Sequence, residues 1–172
     1  GIKPIFGCEV YQARRRLHQR DSKFDARSYH LVLLAANMAG YKNLLKLVTT
    51  ANLEGFYYRP RIDKELLAEH SEGLICLSGC LSGQVASQVR DGQLDQARRS
   101  MAWFKDLFGP DRYFVELQRH AGVPELDTIN VQLADLANEL GLKCVATNDV
   151  HYVRKEEASA QELLLALQTT TT

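Results

Sequence analysis

Five residues in this chain carry side chains that bind metals or move protons, and each stands beside a short apolar run: Glu9, His30, Cys80, Asp149 and His151. The closest pair lies in Cys144-Val-Ala-Thr-Asn-Asp-Val-His-Tyr152. There Asp149 and His151 follow a run, Lys143 to Ala146, that reads as a buried strand. At period-2 spacing a carboxylate and an imidazole point the same way at the strand's C-terminal end. Ligand and catalytic groups of α/β folds collect at such ends. Taken alone, the pair is equally a turn-capping aspartate and a surface histidine.

Pro4 to Tyr11 reads as another buried strand, with Glu9 in apolar company. A carboxylate there is costly unless it is paired or bound to a cation. His30 opens the strand Tyr29-His-Leu-Val-Leu-Leu-Ala35, and Cys80 follows Leu74-Ile-Cys-Leu77 in a Gly-containing turn. Two imidazoles, two carboxylates and a thiol suit zinc, or manganese or iron where oxygen and nitrogen donors dominate. Five ligands exceed one four-coordinate ion. A multi-metal site activates water and clamps phosphate, so phosphoester hydrolysis is the chemistry it does best. His120, past a further strand, is an outside candidate and more simply a loop histidine. Cys76 reads as core, and its Cys-x3-Cys spacing with Cys80 is neither a zinc-knuckle nor a redox spacing. No nucleophile elbow, phosphate-binding Gly-rich loop or dinucleotide fingerprint competes.

The elements that must position these residues follow from periodicity. Residues 12 to 28 are polar, without a helical period, so the first two strands form a long antiparallel hairpin that makes Glu9 and His30 neighbours. Asn37 caps a helix through Gly40 to Thr49 with Leu44, Leu45, Leu47 and Val48 on one face. Asp63 caps a short helix, Lys64 to Glu69. Helical patterns cover Gln84 to Val89, Gln93 to Phe108, Glu125 to Leu140 (with Gly141 as C-cap) and Arg154 to Gln168, the last with Leu163, Leu164 and Leu167 as its apolar face. Strands at 74–77, 112–118 and 143–146 alternate with them. The pattern is α/β with a largely parallel sheet, part of a barrel.

The chain has 172 residues, 45% hydrophobic and 24% charged, which suits one domain with a substantial core. Lys plus Arg equals Asp plus Glu at 21 each, so no global basic field attracts nucleic acid. Local basic stretches remain. Arg14-Arg15-Arg16 is a solvated loop or a patch, and Glu54-Gly-Phe-Tyr-Tyr-Arg-Pro-Arg61 either packs on the core or presents Tyr57, Tyr58, Arg59 and Arg61 to an anionic partner. Cys8, Cys76, Cys80 and Cys144 lie in or beside strand-like runs. With no secretory leader and no apolar run near the roughly 18 residues that cross a bilayer, this points to a reducing cytoplasm. Both ends look cut, so the expectation is an internal segment of a longer chain.

Gly7-Cys-Glu-Val-Tyr, Tyr29-His-Leu-Val-Leu-Leu-Ala, Glu54-Gly-Phe-Tyr-Tyr-Arg-Pro-Arg-Ile-Asp, Ser71-Glu-Gly-Leu-Ile-Cys-Leu-Ser-Gly-Cys and Ala146-Thr-Asn-Asp-Val-His-Tyr resemble, in order, blocks of one family. It is the PHP (polymerase and histidinol phosphatase) domain of bacterial DNA polymerase III alpha subunits, and the resemblance covers essentially the whole chain. It implies a distorted seven-stranded (β/α) barrel, incomplete here, with divalent metal ions at the strand ends. Zinc is the first choice, with manganese, iron or magnesium as alternatives. The matching ligand positions are Glu9, His30, Cys80, Asp149 and His151; the remaining ligands and opening strands are expected upstream of Gly1. The resemblance implies a parent DNA polymerase with DNA, a proofreading exonuclease subunit and other replisome subunits as partners. It leaves the domain either a metal-dependent 3′-5′ exonuclease or a structural platform. A free-standing histidinol-phosphate-type phosphatase would share the ligands but not the aromatic-basic loop.

Overall fold

The computed structural model describes residues 1–120 and 122–169, without the side chains of residues 168 and 169. Six strands form one sheet: β1 (Gly7–Gln12), β2 (Tyr29–Ala35), β3 (Arg61–Ile62), β4 (Leu74–Leu77), β5 (Tyr113–Gln118) and β6 (Lys143–Thr147). Six helices accompany them: α1 (Met38–Leu53), α2 (Lys64–Glu69), α3 (Gln84–Arg90), α4 (Leu94–Phe108), α5 (Glu125–Glu139) and α6 (Ala158–Thr169). The strand order is β3-β1-β2-β4-β5-β6. β1–β3, β4–β5 and β5–β6 pair in parallel, whereas β1–β2 and β2–β4 are antiparallel. Among the described residues this is a mixed α/β fold on an open, mostly parallel sheet.

The expected hairpin is present, with Tyr11 opposite His30 and Glu9 opposite Val32. β3 escaped the sequence reading because two residues are too short to show a period. The caps follow local chemistry. Asn37 Oδ1 accepts from the Gly40 amide at 3.0 Å, and Asp63 Oδ1 accepts from the Leu66 amide at 2.9 Å. The second Asp63 oxygen accepts from the Leu17 amide at 2.9 Å, so one carboxylate caps α2 and anchors the excursion between β1 and β2. Leu33, Leu47, Leu74, Met101, Phe104 and Tyr113 are fully buried between the sheet and its helices. Each such side chain contributes roughly 1.5–3 kcal/mol by leaving water. The rings of Phe104 and Tyr113 stack with centroids 5.1 Å apart.

Two strands differ from expectation. β1 is not buried along its length: Ile5 and Phe6 precede it and are exposed, and only Val10 and Gln12 face the core. Glu9 therefore lies on the open side of the hairpin. β6 was expected to be buried, yet Lys143, Cys144 and Ala146 are exposed. It pairs on one side only, with β5, and Leu163, Leu164 and Leu167 of α6 are exposed as well. Apolar composition tells what a strand can bury, not what lies against it.

Residues 13–28 form no regular element, but they are not loosely held. Arg61, 1% exposed, reaches beneath them. Its guanidinium donates to the carbonyl oxygens of Gly55 at 3.2 Å, Asp25 at 3.3 Å, Leu17 at 3.1 Å and Gln19 at 3.3 Å. Arg61 is thus removed from the anionic surface that the sequence suggested for it, because its donors are consumed by buried carbonyls. A second anchor is Asp25, whose carboxylate accepts from Arg15 Nε at 2.9 Å and from the Asp21 amide at 2.8 Å.

These donors, Arg15 first, hold the Asp25 carboxyl at about 2, against an ordinary 3.8. A carboxylate with a depressed pKa stabilises the fold above its unfolded pKa, and that contribution disappears as pH falls through the folded value. Urea midpoints measured across this range are expected to fall between about pH 4 and pH 2, and Asp25→Asn should flatten that limb of the curve.

Candidate functional site

The hairpin brings the first two ligand-type residues together: His30 Nδ1 and Glu9 Oε1 are 3.0 Å apart. Beyond β4, the chain turns through Ser78-Gly79-Cys80 toward the start of β2. Gly79 has φ +82°, and a Cβ there would meet the His30 carbonyl oxygen at 2.6 Å, so only glycine lets the turn lie this close. The His30 amide donates to the Ser82 carbonyl at 3.0 Å, and Cys80 Sγ comes to 3.7 Å from His30 Nδ1. The Cys80 sulfur and the Glu9 carboxylate, opposed by partial burial, push the His30 imidazole up to about 10. In return, the His30 hydrogen bond, with His151 adding its attraction, holds the Glu9 carboxyl below its usual range.

The second half of the ligand set is arranged differently from the period-2 expectation. Asp149 has φ +49°, so the backbone leaves the extended conformation after β6. His151 folds back, its Nδ1 2.7 Å from the Asp149 carbonyl oxygen. His151 lines the same cavity of about 510 Å³ as Glu9 and His30. The charges of Asp149 and Glu9 are both felt by Glu116. Glu9, His30 and Cys80 are thus gathered, and His151 shares a cavity with Glu9 and His30. Among the described residues, no three His, Cys, Asp or Glu side chains are grouped closely enough to hold a metal as they stand. His120 touches none of this.

One residue essential to the arrangement escaped the sequence reading. Glu116 on β5 is 5% exposed. Its Oε2 accepts from the Gly79 amide at 2.6 Å and its Oε1 from the Thr147 hydroxyl at 2.8 Å, while its own amide donates to Ser78 Oγ at 2.8 Å. It therefore joins the turn that presents Cys80 to the strand end that leads to Asp149. Burial raises the Glu116 carboxyl, and the hydrogen bonds from Thr147 and Gly79 oppose that rise. The signal was in the sequence: Phe114-Val-Glu-Leu117 places an acid inside an apolar run, as around Glu9.

This sheet, with its acid-histidine-thiol cluster at the strand ends, agrees with what the chain is similar to. The PHP domain family profile matches residues 1–120, and the chain belongs to that family. It is 47% identical to a DNA polymerase III subunit alpha of Thermus aquaticus, over 100% of this chain and 14% of the relative. Similarity is comparable to the DNA polymerase III subunit alpha of Borreliella burgdorferi (45%, covering 98% and 15%) and of Deinococcus radiodurans (46%, covering 99% and 13%). The chain spans about a seventh of the length of these relatives.

Removing the Glu116 carboxylate leaves the Gly79 amide buried without an acceptor, at a cost of about 1–3 kcal/mol. Glu116→Leu is expected to lose that much in urea unfolding. Glu116→Gln, whose amide oxygen still accepts from Gly79, should recover most of it.

Proposed function

We propose that this chain is a single-domain segment of a bacterial replicative DNA polymerase III alpha subunit, and that its site binds divalent metal and hydrolyses phosphodiesters at DNA 3′ ends. The observation that carries this reading is the solvent-reachable Glu9–His30–Cys80 cluster, with side chains of Glu9 and His30 that are 41% and 27% exposed. Oxygen, nitrogen and sulfur donors together suit zinc, with manganese, iron or magnesium as alternatives. Ligand bonds of about 2.0–2.3 Å around a tetrahedral ion put ligand atoms roughly 3.3–3.8 Å apart. The 3.7 Å between Cys80 Sγ and His30 Nδ1 fits that spacing, and the 3.0 Å between Glu9 and His30 is slightly shorter.

In this reading Glu9, His30, Cys80, Asp149 and His151 are the ligands, and further ligands and barrel strands come from the rest of the longer chain. Bound metal supplies an activated water and a positive clamp for the phosphate. The chain's own contribution is placement. The hairpin fixes the Glu9–His30 pair, Gly79 lets Cys80 approach it, and Glu116 keeps the β4 and β6 ends together. No helix of the described residues is long and apolar enough to cross a membrane, and all four cysteines are free thiols. Both agree with work beside the replisome in the cytoplasm.

A second reading is a platform that steadies the polymerase and binds the proofreading subunit without catalysis. The exposed Leu163, Leu164 and Leu167 of α6, 61% to 78% accessible, favour it.

Elemental analysis of the full-length protein after exhaustive dialysis tests the metal. We expect bound divalent ions in the wild type and the loss of at least one per chain in His30→Ala and Cys80→Ser. Equal metal content in wild type and variants would sink the proposal. A metal-dependent nuclease that disappears in the same variants decides against the platform reading.

A further inference from the structure

The sequence presents two basic stretches, Arg14-Arg15-Arg16 and the loop around Arg59 and Arg61. The fold separates their members. Arg15 is committed to Asp25, Arg16 to Glu65 and Asp63, and Arg61 to buried carbonyls. Arg14 and Arg59 instead line the cavity that holds Glu9, His30 and His151, and Arg27, from the far end of the excursion, joins them. Among the described residues no carboxylate pairs with any of these three. Arg14 lies over the Tyr29 ring with 4.7 Å to its centroid, and Arg59 over Tyr11 at 5.8 Å. Tyr11 in turn meets His30 edge-on, with centroids 5.2 Å apart. Two guanidiniums thus lie against aromatic faces, which attracts them without neutralising their charge.

This is unusual for a chain with equal numbers of acidic and basic residues. Four arginines line one cavity whose acidic lining residue, Glu9, is already paired to His30; Arg90 is held by Asp91, which leaves Arg14, Arg27 and Arg59 without a carboxylate. One phosphate saturates one or two such forks. Three of them, contributed by separate segments that line one cavity of about 510 Å³, are more than a single phosphate takes up. Each tyrosine has one ring face toward its guanidinium, so a base would stack on the opposite face, as on platforms that bind single strands.

We propose that Arg14, Arg27 and Arg59, with Tyr11 and Tyr29, form a subsite that grips successive phosphodiesters of a single-stranded nucleic acid, guiding its end toward the Glu9–His30–Cys80 cluster. The inference rests on reading that cluster as the hydrolytic site, and it adds the residues that select a strand over a phosphomonoester. Arg27, which no sequence motif marked, is the discriminating member because it extends the basic wall away from the other two in sequence.

The test uses the full-length protein in EDTA, so that strand binding and metal binding are read separately. Oligothymidylate carrying 4-thiothymidine at its 3′ end is photocrosslinked, and the attached peptides are mapped. We expect crosslinks on peptides containing Tyr11 or Tyr29. Their yield should fall about tenfold for each guanidinium removed in Arg14→Ala, Arg27→Ala and Arg59→Ala, the loss expected for one charge-assisted contact. Metal content should not change, since none of the three is a proposed ligand. Arginine-to-lysine variants at the same positions, which keep the charge and lose the fork, should fall between. Absence of crosslinks on these peptides, or unchanged yields in the triple alanine variant, overturns the proposal. So does displacement by inorganic phosphate at the same concentration as by unlabelled oligothymidylate, which would make the cavity a single-phosphate site. If crosslinking behaves as expected while the protein dialysed without EDTA holds no metal, the hydrolytic reading fails and the strand-binding subsite stands.

Discussion

A buried carboxylate with two obligatory donors organises this end of the sheet. Glu116 cannot leave without stranding the Gly79 amide, and the Thr147 hydroxyl would lose its acceptor. Since Gly79 belongs to the turn after β4 and Thr147 to the end of β6, neighbouring strands are fixed at their exits as well as along their ladders. Strand pairing sets register, but it does not set where a chain goes after the last ladder bond. Glu116 does that for two exits at once. The approach of Cys80 to His30 draws on it, together with the glycine turn and the His30 amide's bond to the Ser82 carbonyl.

Across the same sheet the electrostatics are divided. Glu9 and His30 neutralise each other in a half-exposed pair that the Cys80 sulfur reinforces. The guanidiniums around them remain uncompensated, so the cavity keeps a positive rim around a polar floor. That separation results from the excursion between β1 and β2, which buries one set of arginine partners beneath itself and turns the others outward. The asymmetry is invisible in the balanced composition of the chain.

The sequence made much of this legible because several residues have a single comfortable place. Asn37 and Asp63 announced their helices through capping chemistry, and the polar stretch between two apolar runs announced the hairpin that pairs Glu9 with His30. What was not legible depends on contacts distant in the chain. β6 reads as a core strand by composition but pairs on one side only, and Arg61, which read equally as core packing or as a surface cation, is enclosed by carbonyl acceptors from residues up to 44 positions away. The period-2 argument for Asp149 and His151 assumed that the strand continues, whereas Asp149 adopts a left-handed conformation. Glu116 was overlooked although its apolar setting was the same clue that drew attention to Glu9.

The way Arg61 holds the excursion has an evolutionary corollary. Its four acceptors are main-chain carbonyls, which every amino acid provides. Side chains along residues 14–28 that do not face inward are therefore free to vary while the path of the backbone is retained. Such a loop can exchange one set of outward cations for another, and so adapt to a different anion, without renegotiating the fold. Its tolerance is concentrated in the outward side chains of the loop, and its intolerance in Arg61 and the buried carboxylates of Asp25 and Asp63.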